Sequence, residues 1–427
     1  MKTFVLNDLA VSRLKILAIG YYTYPTGLTR VMQSIMTRLA DRHEIHYLGI
    51  GYDGEPIRNR GLTIYPTNPH GGDVFAAFQA KKLIEEIDLN LVFILHDIWM
   101  FDYYLRILGP YRDPLRIIAY IPLDGNIANE EEAASLAGAD CVAVYTDWAK
   151  REFENAFERL RQKRDEFPPI EVIPHGVELN RFFPFADLVA GSFNNAGRTK
   201  AKREVFGDFP GLEGSFIVLN ACRPDKRKRV DLTIEGFAKF AIDKPANVRL
   251  CLHHAIMGET EREQTSALIS ALKIENRVFF NPFGDRAVND DALNLLYNAC
   301  DVGINTSMGE GWGLVSFEHG ATAAAQIVPD HSACRELWGE SGELIPIERS
   351  FKPEFSVLEL GEVSTASVAE AIDRLYHNQR RCQTLGQKAF AASQNPEYSW
   401  DRIAQQFESL FLEKVGVMSD VNDHSLL

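Results

Sequence analysis

The sequence predicts an α/β protein built from two doubly wound domains with largely parallel sheets. Three observations carry that expectation. The chain has 427 residues, more than one hydrophobic core ordinarily organises. Short apolar runs alternate with amphipathic helical stretches. That alternation lapses over residues 183–208, which mix Gly, Asn, Ala and Lys with little periodicity, and then begins again.

In the first half, Leu14–Gly20 reads as the opening strand, and a loop with Pro25 and Gly27 leads into a helix over 28–39. Leu91–Leu95, Arg116–Ile121 and Cys141–Tyr145 read as further strands, and Glu171–Val177 closes the half. Tyr52–Gly72 and Ile98–Pro114 read as loops, although the aromatic and apolar content of the second (Trp99, Met100, Phe101, Tyr103, Tyr104) also suits a core helix. Residues 183–208 read as an interdomain linker followed by a helix. The pattern resumes with the strand Phe216–Asn220 and a helix over 230–241. Strands at Val248–Leu252 and Arg277–Phe280, a helix over 292–300 and the strand Asp301–Asn305 follow. Residues 366–375, 379–393 and 400–414 read as helices. The expected domains are 1–182 and 183–399, followed by a helix over 400–415 and a disordered polar tail, 416–427.

Composition narrows the function. Hydrophobic residues make up 46% and charged residues 24%, the profile of a globular chain. A net charge of −14 argues against nucleic acid as the main partner. The six cysteines show neither close pairing nor metal-type spacing, which points to buried thiols in a reducing compartment. The N-terminus lacks a signal-type apolar core and no apolar run is long enough to span a bilayer. A cytoplasmic location is therefore expected, with peripheral membrane contact left open; the interleaved Glu152, Glu154 and Glu158 make the basic stretch Lys150–Arg164 read as a solvated helix face.

The most informative stretch is Ser307-Met-Gly-Glu-Gly-Trp-Gly-Leu-Val-Ser-Phe-Glu318. It reads as a strand, a tight glycine turn and a helix. Gly311 and Gly313 allow the backbone to bend and approach a ligand. The free N–H groups at the start of the helix favour a phosphate there. Two carboxylates beside a phosphate site, Glu310 in the loop and Glu318 one turn into the helix, suit sugar hydroxyls. In Asn220-Ala-Cys-Arg-Pro-Asp-Lys-Arg-Lys-Arg-Val-Asp231, Arg223 and Lys228 lie on a βα loop and suit a diphosphate. Gly27 would turn backbone N–H groups toward a ligand from the other domain, with Tyr21, Tyr22 and Tyr24 nearby. His96-Asp97 and Asp124 follow strands of the first half and are candidates for acid–base work. The adjacent pair His253-His254 makes a poor metal site, and no Walker loop, Gly-x-Gly-x-x-Gly or Gly-x-Ser-x-Gly element is present.

Together these elements resemble retaining glycosyltransferases of family 4, which have the GT-B fold of two facing Rossmann-like domains. Glu310 and Glu318 match the Glu-x7-Glu element, and Arg223 with Lys228 the Arg-x4-Lys element. Val172-Ile-Pro-His-Gly-Val-Glu178 and Leu296-Tyr-Asn-Ala-Cys-Asp301 are similar to two further segments. The resemblance implies metal-independent transfer of a sugar from a nucleoside diphosphate sugar, UDP- or GDP-linked, to an acceptor it does not identify, with no cofactor. It also implies roles. Arg223 and Lys228 would hold the diphosphate, Glu318 the ribose, Glu310 and the N–H groups of Gly311, Trp312, Gly313 and Leu314 the donor sugar and phosphate. Gly27 would meet the diphosphate from the first domain, and 400–414 would cross back onto that domain. Three departures stand out. Tyr120-Ile-Pro-Leu-Asp124 lacks the family's histidine, so Asp124 or His96 is a candidate for its catalytic place. Ala324–Val328 replaces a Gly-x-Pro-Val element, and Trp312 a phenylalanine. A sugar-nucleotide epimerase, a phosphorylase and a non-catalytic nucleotide-sugar binder stay open as alternatives.

Overall fold

The computed structural model describes residues 13–23, 26–67, 71–161, 166–185, 188–189, 192–193, 196–254, 257–354 and 356–416. The extreme N-terminus, Tyr24, Pro25 and the tail after Gly416 lie outside the described residues.

The first sheet contains β1 (Lys15–Tyr21), β2 (Glu44–Ile50), β3 (Ile57–Asn59), β4 (Leu62–Pro66), β5 (Leu91–Leu95), β6 (Arg116–Ile121), β8 (Cys141–Val144) and β9 (Ile170–Val172), where β7 (Asn126–Ile127) stands apart. Its order is β3-β4-β2-β1-β5-β6-β8-β9, parallel except where β3 pairs antiparallel with β4. Helices α1 (Gly27–Leu39), α2 (Ala77–Glu86), α3 (Phe101–Leu108) and α4 (Asp147–Leu160) cover it. Its central strands are buried on both faces, as a sheet sandwiched by helices requires; all of Leu91–Leu95 is buried.

A short ribbon, β10 (Leu188–Val189) with β11 (Ser192–Phe193), and α5 (Ala196–Phe206) occupy the expected linker. The second sheet is wholly parallel. It contains β12 (Phe216–Asn220), β13 (Val248–Leu252), β14 (Val278–Phe280), β15 (Val302–Ile304), β16 (Ala325–Pro329) and β17 (Glu343–Ile345), in the order β14-β13-β12-β15-β16-β17. Its helices are α6 (Val230–Phe240), α7 (Glu259–Ala271), α8 (Asp290–Ala299), α9 (Leu314–Ala321), α10 (Ser332–Trp338), α11 (Thr365–His377) and α12 (Gln379–Ser393). The strand order reverses between β1 and β5 in one sheet and between β12 and β15 in the other. Ligands of such sheets sit at these switch points, beyond the carboxyl ends of the strands.

A last helix, α13 (Trp400–Val415), lies against the first domain. Phe407 and Phe411 pack on Phe93 of β5 at 5.1 and 5.5 Å between ring centroids, and Arg42 of the first domain forks onto Glu408 at 2.6 and 2.8 Å.

Further contacts join the domains on one flank. The hairpin β18 (Ile347–Phe351) and β19 (Leu358–Val363) leaves the second domain, and β19 pairs antiparallel with β7 of the first. Nearby, Glu336 of α10 caps the N-terminus of α4, accepting the Asp147 and Trp148 N–H groups at 3.0 and 2.7 Å.

The two stretches read as loops carry regular structure. Tyr52–Gly72 contains the β3–β4 hairpin, and Ile98–Pro114 contains α3. Phe101, Tyr104, Leu105 and Leu108 bury one face of α3, so its aromatic content belongs mostly to the core, with Trp99 left exposed.

Candidate functional site

The two switch points face each other across a cleft of about 1070 Å³. Helix α1 begins at its edge, where Thr26 caps the first turn by accepting the Thr29 N–H at 3.3 Å. Helix α9 begins opposite, after Gly313, whose φ of +86° and lack of a capping side chain leave the first N–H groups of the helix free of a side-chain partner. A Cβ on Gly27 would come within 3.3 Å of Leu314 Cδ1. Two helix N-termini thus converge on one point, each contributing partial positive charge and backbone donors.

Glu310 sits beneath that point, 5% exposed. Its Oε1 accepts Lys228 Nζ at 2.5 Å and Asn305 Nδ2 at 3.0 Å. Burial alone would raise this carboxyl, but Lys228, Arg227 and the Asn305 hydrogen bond outweigh it and bring the pKa to about 2. The strand β15 delivers Asn305, and the loop after β12 delivers Lys228, so the pair is made by adjacent strands at the switch point.

Glu318 is equally buried, on the inner face of α9. Its Oε2 accepts the Tyr297 hydroxyl at 3.2 Å and its Oε1 lies 3.4 Å from Arg30 of the first domain. Burial raises its pKa against the pull of Arg30. Arg30 also holds Asp290 at 2.7 Å.

Asp124 reaches in from the end of β6. Its Oδ1 accepts the Gly311 N–H at 2.8 Å and its Oδ2 lies 3.4 Å from Arg227. Burial raises its pKa, Arg227 opposing. Arg223 lines the cleft but is 60% exposed and pairs only with its neighbour Asp225 at 3.1 Å among the described residues. Trp312 lines the cleft with its ring packed on Phe317 and Tyr398, at 5.1 and 5.3 Å.

His96 is placed differently. It is fully buried behind the cleft wall, ringed by Tyr21, Phe75 and Trp99 at 5.1, 5.7 and 5.6 Å. Its Nδ1 accepts the Asp97 N–H at 2.8 Å, and burial brings its pKa to about 4. The cleft wall is formed instead by Asp97, pushed up to about 6 by burial and by Asp124, with Arg227 opposing. The structure therefore brings Glu310, Glu318, Asp124, Lys228, Arg223, Gly27 and the Gly311–Leu314 turn into one cleft and leaves His96 out of it.

Arg227, Asn305, Tyr297 and Arg30 belong to the cleft and were missed by spacing alone. Arg227 stood in a basic run whose inward and outward members a sequence does not separate. The described residues include no group of three or more His, Cys, Asp or Glu side chains able to hold a metal ion. No helix among them is long and apolar enough to cross a membrane.

Residues 202–391 match the family Glycosyl transferases group 1. The mannosylfructose-phosphate synthase of Agrobacterium fabrum is 30% identical over 169 residues, 38% of this chain and 33% of that protein. The chain thus spans about a third of the length of this curated relative. Among solved structures, a sucrose-phosphate synthase from Thermosynechococcus elongatus superposes with a TM-score of 0.70 at 18% identity, covering 94% of this chain and 99% of that one. Anabaena HepE in complex with UDP-glucose gives 0.66 at 18% identity, covering 94% and 100%. A UDP-forming trehalose-phosphate synthase from Burkholderia xenovorans gives 0.67 at 13%, covering 95% and 100%. The chain has the two-domain Rossmann-like GT-B fold of these structures, and its second domain carries the match to the glycosyl transferases group 1 family.

Proposed function

We propose that this protein is a retaining, metal-independent glycosyltransferase that moves a sugar from a nucleoside diphosphate sugar to an acceptor. The observation that carries the reading is the Lys228–Glu310 pair beneath two converging helix N-termini. An anion and a polyol are the two ligand types this arrangement suits. Residues 183–399 form the donor side, and residues 1–182 with the returning helix 400–415 the acceptor side. UDP or GDP is the base-linked diphosphate expected; several structural neighbours are UDP complexes or UDP-forming enzymes. Six free cysteines, five of them buried, suit a reducing cytoplasm.

In this reading the bond between the sugar's anomeric carbon and the diphosphate breaks, and negative charge develops on the departing phosphate oxygen. Lys228 and the N–H groups of α1 and α9 are fixed donors aimed at that charge, so they stabilise it without reorganising, and the exposed Arg223 adds a cation at the cleft. Glu310, ionised near neutrality, accepts hydrogen bonds from donor-sugar hydroxyls, and Glu318 from the ribose. Neither carboxylate acts as an acid–base pair with the other. Asp124 takes the place of the family's histidine at the end of β6, with its carboxylate already engaged by Gly311. Asp97, rather than His96, is the titrating group open to an acceptor.

Glu310→Gln and Lys228→Ala test the reading. Each should lower transfer from the preferred donor by about 10²–10³-fold with the fold intact by circular dichroism. Turnover within a few-fold of the parent in either variant would overturn it.

A further inference from the structure

The basic run Arg223–Arg229 contains five cations with different surroundings. Arg223 and Lys226 are exposed. Lys228 holds Glu310, and Arg229 turns away onto Asp231 and Glu362. Among the described residues, Arg227 is the one of the five that forms an ion pair with the first domain. Its Nη1 donates to the Gly309 carbonyl and to Ser307 Oγ, the latter at 3.4 Å, and lies 3.4 Å from Asp124 Oδ2 and 3.7 Å from Glu310 Oε2. One guanidinium therefore touches the glycine turn of the second domain and a carboxylate of the first.

The charges around it are unbalanced without it. Asp97 and Asp124 act on it from the first domain, and Asp225 and Glu310 from the second. Lys228 also acts on Asp124, Tyr145 and Cys334 lie near Asp124 with their pKa values raised by burial, and His331, lowered by burial, lies near Glu310. The nearby Cys222 thiol, pushed up to about 11 by burial, adds no charge near neutrality. Remove Arg227, and Lys228 with the exposed Arg223 is left with three carboxylates, Asp97, Asp124 and Glu310, lining the cleft. A buried carboxylate deprived of its cation is strongly destabilising, and a cleft so charged repels a diphosphate. Arginine suits the position, because its planar fork serves several acceptors and it stays protonated when buried.

We propose that Arg227 is a positioning residue that neutralises Asp124 and Glu310 across the domain junction, pins the glycine turn to the first domain and so keeps the cleft receptive to a nucleoside diphosphate. The ligand part rests on the glycosyltransferase reading above; the ionic part does not.

The test uses the full chain and four proteins: the parent, Arg227→Met, Arg227→Lys and the double variant Arg227→Met with Asp124→Asn. Melting temperatures are measured without ligand from pH 5 to pH 8, and UDP and GDP are titrated in parallel. Burial already raises Asp124, and loss of the cation raises it further, so the destabilisation grows as pH rises through its titration. Arg227→Met should melt on the order of 5 °C below the parent at pH 8 and less far below at pH 5, the part owed to Glu310, ionised at both, remaining. Asp124→Asn should recover most of that loss, and Arg227→Lys should fall between. At pH 8, Arg227→Met should bind the preferred diphosphate at least ~10-fold more weakly, with part of the affinity regained in the double variant. An Arg227→Met chain that folds only together with Asp124→Asn supports the proposal equally. A loss equal at both pH values, or not recovered by Asp124→Asn, overturns the proposal. If the parent binds neither diphosphate, the nucleotide reading and the ligand part fall together, while the ligand-free melts still decide the ion pairing.

Discussion

Glu310 and Asp97 are carboxylates lining one cleft, yet their surroundings push them in opposite directions. Burial would raise both. Lys228, Arg227 and Asn305 bring Glu310 to about 2, whereas Asp124 adds to burial and lifts Asp97 to about 6. Asp97 is thus a titrating group near neutrality and Glu310 a fixed anion. The stability consequence of Asp97 has a definite sign. Its folded pKa exceeds its unfolded value of about 3.9, so stability is highest below that value and falls as pH rises through about 6. Asp97→Asn should be more stable than the parent at pH 7.5 by on the order of 2 kcal/mol, and the advantage should vanish at pH 4. Urea titrations at the two pH values check this; an advantage that persists at pH 4 contradicts it. Glu310, Arg223 and Lys228 were legible because their spacing places them on loops after strands, and Glu318 because it falls one turn into the helix that follows. Asp97's place in the cleft lining and His96's burial away from it were not. Adjacent residues at a strand end diverge, and the ring of Tyr21, Phe75 and Trp99 that selects His96 for the interior comes from three separate segments.

At the scale of elements, β12, β13 and α12 have the bounds expected from the sequence, because each is a clean apolar or amphipathic run between turn residues. The β18–β19 hairpin was not anticipated. Its outer partner, β7, is two residues long and lies in the other domain, so no local periodicity reports the pairing. The edge strand β3 is exposed throughout and carries no alternation to read. The β7–β19 contact leaves no room at Gly125, where a Cβ would meet the Glu359 carbonyl at 2.4 Å and Leu360 Cδ2 at 2.8 Å. Gly125→Val should separate the strands, cost about 1–3 kcal/mol and loosen the domains about the cleft. Limited proteolysis near residues 352–358 should quicken and the radius of gyration in solution scattering should rise. Unchanged values of both would show that the strap does not hold the domains.

At the scale of the whole molecule, connections between the domains set the cleft. The strap and the Glu336 cap close one flank, the Arg30–Asp290–Glu318 cluster spans the mouth, and α13 ties the second domain back onto β5. The two-domain architecture was visible in the alternation of strand and helix and its restart after residue 208. The joining contacts were not, because each pairs residues more than a hundred positions apart. They bring two switch points face to face; in the proposed reading a donor held by the second domain would there meet an acceptor held by the first. The most direct test of that arrangement is calorimetric titration of the full chain with UDP- and GDP-sugars, parent beside Lys228→Ala. A donor cleft at this place gives saturable binding of at least one nucleotide sugar by the parent and at least ~10-fold weaker binding by the variant. Binding of none of them by the parent, or equal binding by both proteins, would contradict it.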